Sequence, residues 1–279
     1  MGQLFSGTIA IIGAGKVGSA MIKALRQCYS RVRIIATGRS EATLLNAKSL
    51  GAEATRDNDC AVREANFVIL SVKPHHFPVV VKQVNRDSWN DKVVVSVMAG
   101  IKLSTLRMVM PKAEVYRAMP NINIAVRKSS TAITDVKGGY RDVVEEVFTC
   151  FGRVYWVPEE YLDVWTGLAG SGPAFIAEIV DALVLGAVAA GMPRDLAYRS
   201  ILDVLEGTAE YLRSNPAVHP AEMRDAVTTP AGTTIRGLMA MESKGVKAAL
   251  MKTVEAAYRR SYRIGVEIDE FVRRELGLD

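Results

Sequence analysis

Short apolar runs alternate with amphipathic stretches through the first half of the chain. Residues 8–12, 32–36, 67–72 and 93–97 are rich in Val and Ile, as expected of strands on a pleated, buried surface, and 115–119 repeats the largely apolar pattern. Between them, residues 19–27 place Met21, Ala24 and Leu25 on one helical face, 41–50 close on Gly51, and 103–109 repeat helical spacing. The run 67–72, bounded by Lys73-Pro74, reads as a strand buried on both faces. Strands alternating with helices imply parallel βαβ units in a doubly wound α/β sheet. Beyond about residue 160 the pattern changes to helix-length segments at 173–190, 194–212, 234–243 and 246–265, the last extending to Leu276. Turns at Gly191-Met192-Pro193, Asn215-Pro216, Pro230-Ala231-Gly232 and Gly245 separate them. The expected organisation is therefore residues 1–160 as an α/β domain and 161–279 as an all-helical one. The Ala- and Leu-rich helices of the latter are expected to hide surface against a second subunit.

Gly13-Ala14-Gly15-Lys16-Val17-Gly18 follows the first strand and opens the first helix, the context in which a glycine fingerprint carries a mechanism. Gly13 suits the tight turn, Gly15 the approach of a pyrophosphate, and Gly18 close helix–strand packing. The helix N-terminus would face the phosphate charge. This makes the first domain a Rossmann-type dinucleotide site. The end of the second strand reads Ala36-Thr37-Gly38-Arg39-Ser40, without the acid that would take ribose hydroxyls. A guanidinium beside small hydroxyls suits a 2′-phosphate, which favours NADPH while leaving NADH possible. Ser71-Val72-Lys73-Pro74 and Met98-Ala99-Gly100 stand at later strand ends, where open sheets bind ligands.

A second anion site is expected at Thr228-Thr229-Pro230-Ala231-Gly232-Thr233-Thr234. Unpaired N–H groups at the following helix start, with hydroxyls beside them, could take a carboxylate without a charged side chain. Plain N-capping is the competing reading.

Several segments together resemble the pyrroline-5-carboxylate reductases. Gly170-Ser171-Gly172-Pro173-Ala174-Phe175 is similar to that family's GSGPAY signature. His219-Pro220, Asp225 and the run from Val227 to Thr234 resemble its HP…D.VTSPGGTTI segment. Arg117-Ala118-Met119-Pro120-Asn121 and Val72-Lys73-Pro74 match its R-x-MPN and VKP motifs. The resemblance spans about residues 8–262. It implies NADPH-dependent reduction of a cyclic C=N, giving proline, by an enzyme whose helical domain interlocks with a second subunit, often in larger rings of dimers. It also implies that Gly13, Ala14, Gly15, Lys16, Val17, Gly18, Thr37, Arg39, Asn58, Ser71, Val72, Lys73, Pro74 and Ala99 bind the cofactor, with Asn121 near the nicotinamide. Thr229, Gly232, Thr233 and Thr234 would hold the substrate carboxylate, and the Thr234 hydroxyl would face the ring nitrogen as the catalytic group. Two positions depart from the family: Ala231 replaces a glycine, and Ile122-Asn123 replace Thr-Pro after the MPN motif. A methyl at Ala231 disfavours positive φ, so the turn is expected to differ slightly. The alternatives are a reductase of a related cyclic imino acid or a non-catalytic dinucleotide-binding regulator. A 3-hydroxy acid dehydrogenase is disfavoured because residues 173–190 carry Glu178 and Asp181 but no lysine to serve as base.

Composition adds exclusions rather than a function. The net charge of +5 is spread without an aromatic-interleaved basic stripe, so no nucleic-acid partner is expected. No Cys/His cluster has metal spacing, so no metal is expected. The three cysteines Cys28, Cys60 and Cys150 lie far apart in sequence, which reads as a reducing, cytoplasmic compartment. The apolar stretch 168–192 is interrupted by Glu178 and Asp181, and is expected to be a buried core helix with no membrane role. Residues 1–6 fit a loose N-myristoylation pattern, taken as coincidence.

Overall fold

The computed structural model describes residues 5–278, so most of the myristoylation-like pattern lies outside the described residues. The chain divides into two compact units, residues 1–171 with 256–279, and residues 172–255. The division falls later than the expected 160/161, and the C-terminal segment returns to the first unit.

The first unit is built on β1 (Ile9–Ile12), α1 (Lys16–Cys28), β2 (Ile34–Thr37), α2 (Glu41–Ser49), β3 (Glu53–Thr55) and α3 (Asn58–Glu64). It continues through β4 (Phe67–Leu70), α4 (Phe77–Gln83), β5 (Val93–Ser96), α5 (Leu103–Val109) and β6 (Glu114–Met119). β7 (Ser129–Thr134), α6 (Arg141–Thr149), β8 (Gly152–Val157) and α7 (Tyr161–Trp165) complete it before the helical segment. One eight-stranded sheet results, in the order β3-β2-β1-β4-β5-β6-β7-β8. β1 to β6 pair in parallel, as the alternating pattern predicted. β7 runs antiparallel to β6, and β8 follows β7, so the last two strands reverse the sheet. β3 and β7 have no apolar run to announce them. β3 reads Glu-Ala-Thr, and β7 hides its hydroxyls by pairing Ser129 Oγ with Thr131 Oγ1 at 3.0 Å.

Strand period two sorts β1 between two cores. Ile9 and Ile11 pack with Met21, Ile22 and Leu25 of α1 and with Val147 and Phe148 of α6. Ala10 and Ile12 face Val62, Phe77, Val80 and Leu106 of α3, α4 and α5. Each fully buried Ile or Phe contributes roughly 1.5–3 kcal/mol of burial free energy. Val272 joins that second core from the C-terminal helix. That helix is also held by Asp269, which accepts from the backbone N–H of Lys102 at 2.8 Å, and by Gly265 lying against Gly100.

The second unit contains α8 (Gly172–Ala189), α9 (Arg194–Ser214), α10 (Pro220–Ala226), α11 (Thr233–Ser243) and the first part of α12 (Val246–Leu276). Its own core is small, formed by Val180, Val184 and Ala197. The expectation that residues 168–192 form a buried core helix is corrected, because Ile176, Leu183 and Leu185 of α8 are exposed in the single chain. By length and composition alone, the helical run Tyr161–Ala189 would be long and apolar enough to span a membrane.

Two of the three cysteines lie together. Cys28 and Cys150 form a disulfide with Cα atoms 5.9 Å apart. Cys28 ends α1 and Cys150 follows α6, helices that pack on one face of the sheet, so a separation of 122 residues hid the pair. Arg127, in the left-handed region, donates to the sulfur of Cys28 at 3.3 Å and to the carbonyl of Cys150 at 3.2 Å.

Candidate active site

The sheet's switch point lies between β1 and β4, where the chain turns from one half of the sheet to the other. Gly13 leaves β1 with φ +101°, and a side chain there would stand 2.8 Å from the backbone nitrogen of Val72. Gly18 is equally constrained, since its Cβ would meet the carbonyl oxygen of Gly13 at 2.3 Å. At Gly15 the opposite holds, because a Cβ would have no neighbour within 4 Å. Packing therefore requires two of the glycines, while the third leaves room for a ligand to approach the backbone. The N-terminal end of α1 carries no side-chain cap and no acid in its first turn, leaving its N–H groups for an anion.

Thr37 braces this turn. Its hydroxyl accepts from Gly13 N–H at 3.1 Å, and its carbonyl accepts from Ala14 N–H at 2.7 Å. Ser40 caps α2 by accepting from Thr43 N–H at 3.2 Å, while the two hydroxyls bond at 2.8 Å. Arg39, between them, has no hydrogen-bond or ion-pair partner among the described residues.

These elements enclose a cavity of about 500 Å³. Gly13, Ala14, Gly15, Thr37, Arg39 and Asn58 line it, as do Ser71, Val72 and Lys73. Nine of the residues expected at a cofactor site are thus brought together. Lys16, Val17, Gly18, Pro74, Ala99 and Asn121 do not line it. Gly18 acts through packing, Pro74 opens a 3₁₀ turn, and Ala99 packs beside Met119, Ala132 and Leu162. Asn121 is engaged at both ends of its amide. Its Nδ2 donates to the carbonyl of Ala169 at 3.0 Å, and its Oδ1 accepts from Asn123 N–H at 3.1 Å. The segment Thr166–Gly170 is a π-turn, a form that frees carbonyls for such bonds. Arg117, from the same motif, is buried and pairs with Glu159 at 2.7 Å.

The residues present fit a dinucleotide. The hydroxyl oxygen of Ser71 is buried in the wall and has no partner among the described residues, so it is available to a ligand. Among the described residues no carboxylate lines the cavity, whereas Arg39, Arg56, Lys73 and His76 do. His76 is held below the usual histidine value of 6.5 by burial, then by Arg39, His75 and Lys73 around it. Arg56, His76 and Gln83 were not legible as site residues. Arg56 follows β3, whose polar sequence gave no strand signal.

The hydroxyl turn belongs to the second unit. Gly232 caps α11 without a side-chain bond, and its N–H donates to the carbonyl of Thr229 at 3.1 Å. The hydroxyls of Thr229, Thr233 and Thr234 have no partner among the described residues, so none is spent on capping. The expected change at Ala231 is corrected, since Ala231 adopts φ 56° despite its methyl group. His219 caps α10 by accepting from Ala221 N–H at 3.1 Å, a structural role.

A glycine turn at the switch point of a doubly wound sheet, followed by a helical unit, defines a nicotinamide-dinucleotide oxidoreductase of two-unit plan. Residues 8–100 match the family described as NADP oxidoreductase coenzyme F420-dependent, and residues 159–264 match pyrroline-5-carboxylate reductase dimerisation. Pyrroline-5-carboxylate reductase 3 of Macaca fascicularis is 36% identical over 91% of this chain and 94% of its own length. Pyrroline-5-carboxylate reductase of Methanosarcina acetivorans is 36% identical over 92% and 97%. The structure of a pyrroline-5-carboxylate reductase from Coxiella burnetii superposes with a TM-score of 0.83 at 26% identity, covering 93% of this chain and 98% of that one. The chain belongs to the pyrroline-5-carboxylate reductase family.

Proposed function

We propose that this protein reduces 1-pyrroline-5-carboxylate to L-proline with NADPH. The observation that carries the reading is the match of residues 159–264 to the family's dimerisation region, which takes in the hydroxyl turn at 229–234. Bound NADPH would supply the hydride for the C=N carbon of the ring. Gly13, Gly15 and the N-terminus of α1 would hold its pyrophosphate, with Ser71 and Lys73 beside it. Arg39 would take the 2′-phosphate through charge-assisted hydrogen bonds. Thr229, Gly232, Thr233 and Thr234 would bind the substrate carboxylate and orient the ring. A cyclic imine that binds already protonated needs orientation more than a strong acid, and hydroxyls suffice for that. Thr234 would hydrogen-bond the ring nitrogen and keep the acceptor carbon presented.

The exposed apolar surface of α8 and α9 supports self-association through the second unit. Glu178 and Asp181 within α8 fit a subunit interface better than a bilayer. We place the protein in the cytoplasm, in common with a soluble biosynthetic role. The Cys28–Cys150 disulfide runs against that compartment, since such bonds are rare where thiols are kept reduced.

Thr234→Ala tests the site. We expect kcat with pyrroline-5-carboxylate to fall at least tenfold while NADPH binding stays unchanged, the effect of losing one hydrogen bond to a charged group. Unchanged kinetics would remove Thr234 from the reaction.

A further inference from the structure

The 2′-phosphate end of the cavity contains an arginine that the glycine fingerprint and the β2 terminus do not account for. β3 is the edge strand beside β2, and their register sets Thr55 against Thr37. Gly38 N–H donates to the carbonyl of Thr55 at 3.3 Å, so the strand ends lie level. The next residue on β3's side is Arg56, and the next on β2's side leads to Arg39. Both line the cavity. Arg56 reaches Glu41, in the first turn of α2, at 3.1 Å. Both partners of that pair are well exposed, at 63% and 66%, so the pair is weak and leaves most guanidinium donors free. Glu41 itself does not line the cavity.

We propose that Arg56 is a second guanidinium for the cofactor's 2′-phosphate, opposite Arg39, and a determinant of NADPH over NADH. Two effects act in the same direction. The fork supplies hydrogen bonds that NADH, lacking the phosphate, cannot use. It also partners Glu41, a carboxylate whose charge has the sign that repels a phosphate. Arg39 alone would offer the phosphate one guanidinium fork, and Arg56 adds a second from the other strand end. The inference rests on NADPH being the cofactor.

The test is binding to the full-length protein without substrate, by calorimetric titration with NADPH, NADH and 2′-AMP. Arg56→Gln is expected to raise the Kd for NADPH and 2′-AMP about tenfold or more and to leave NADH within twofold. Glu41→Gln should leave NADPH binding equal or tighter. An equal loss for NADPH and NADH would overturn the proposal, placing Arg56 in support of the shared half of the site. No loss for either would overturn it as well, leaving Arg56 a surface residue. Wild-type protein that binds NADH and not NADPH would instead refute the choice of cofactor, a failure seen before any variant is made.

Discussion

Ala231 is a residue held where a glycine would rest more easily. At φ 56° its methyl crowds the backbone, a conformation that disfavours an L-residue by roughly 1–2 kcal/mol. Replacing it with glycine removes that strain but gives the unfolded chain more freedom, which costs about 0.4–1 kcal/mol. The net expectation for Ala231→Gly is a gain of roughly 0.5–1 kcal/mol, or about 1–3 °C in Tm for a chain of this size. Thermal unfolding at a fixed protein concentration measures it, since self-association would otherwise shift both curves. The KM for the imino acid should not change, because the turn already has the conformation glycine permits. Loss of stability would refute the assignment of positive φ at this position. A KM lowered tenfold would refute the claim that the methyl leaves the turn intact. Gly232→Ala provides the opposite sign, since its Cβ would stand 2.3 Å from the hydroxyl of Thr229 and force the turn open.

The glycine turn separates packing from ligand approach. Gly18→Ala, with its Cβ 2.3 Å from the Gly13 carbonyl, should destabilise the fold by about 1–3 kcal/mol in urea titrations. Gly15→Ala, with no protein atom within 4 Å, should leave stability unchanged and weaken NADPH binding tenfold or more; intact binding would show that the pyrophosphate lies elsewhere. His76 should titrate below 6.5 by NMR in the free protein, held down by burial and then by Arg39, His75 and Lys73, and move upward when 2′-AMP binds, because a dianion favours the imidazolium. In the free protein the unfolded chain then takes up this proton more readily, so the His76 contribution to stability is lost as pH falls through 6.5 and below. A midpoint at or above 6.5 without ligand would contradict the combined effect of burial and the surrounding charge. Thiol titration of the unfolded, unreduced protein should find Cys60 alone, and three reactive thiols would show the Cys28–Cys150 pair open.

Much of the fold was legible because burial and period coincide. β1, β4 and β5 are apolar at almost every position, as a strand covered on both faces must be, and α1 shows its inner face at Met21 and Leu25. β3 and β7 were illegible for the opposite reason. The first is a polar edge strand of three residues, and the second satisfies buried hydroxyls with one another instead of avoiding them. Missing β3 also hid Arg56, whose place in the cavity depends on register with β2. The glycine turn could be read because each glycine has a distinct steric cause. The hydroxyl turn could be located but not interpreted, since the capping of α11 by Gly232, which leaves the threonine hydroxyls without a partner among the described residues, depends on the folded backbone. Helix α8 misled because its apolar composition is that of a core, while Ile176, Leu183 and Leu185 stand exposed in the single chain.

The most direct test of the central claim is the rate of NADPH oxidation with pyrroline-5-carboxylate, run beside the six-membered homologue piperideine-6-carboxylate. We expect saturable turnover with the five-membered ring, formation of proline in equal amount, and a kcat/KM at least tenfold lower for the larger ring. Turnover of the larger ring alone would mean that the turn at 229–234 serves another imino acid. No oxidation with either, from protein that binds NADPH, would contradict the account and leave a dinucleotide-binding regulator.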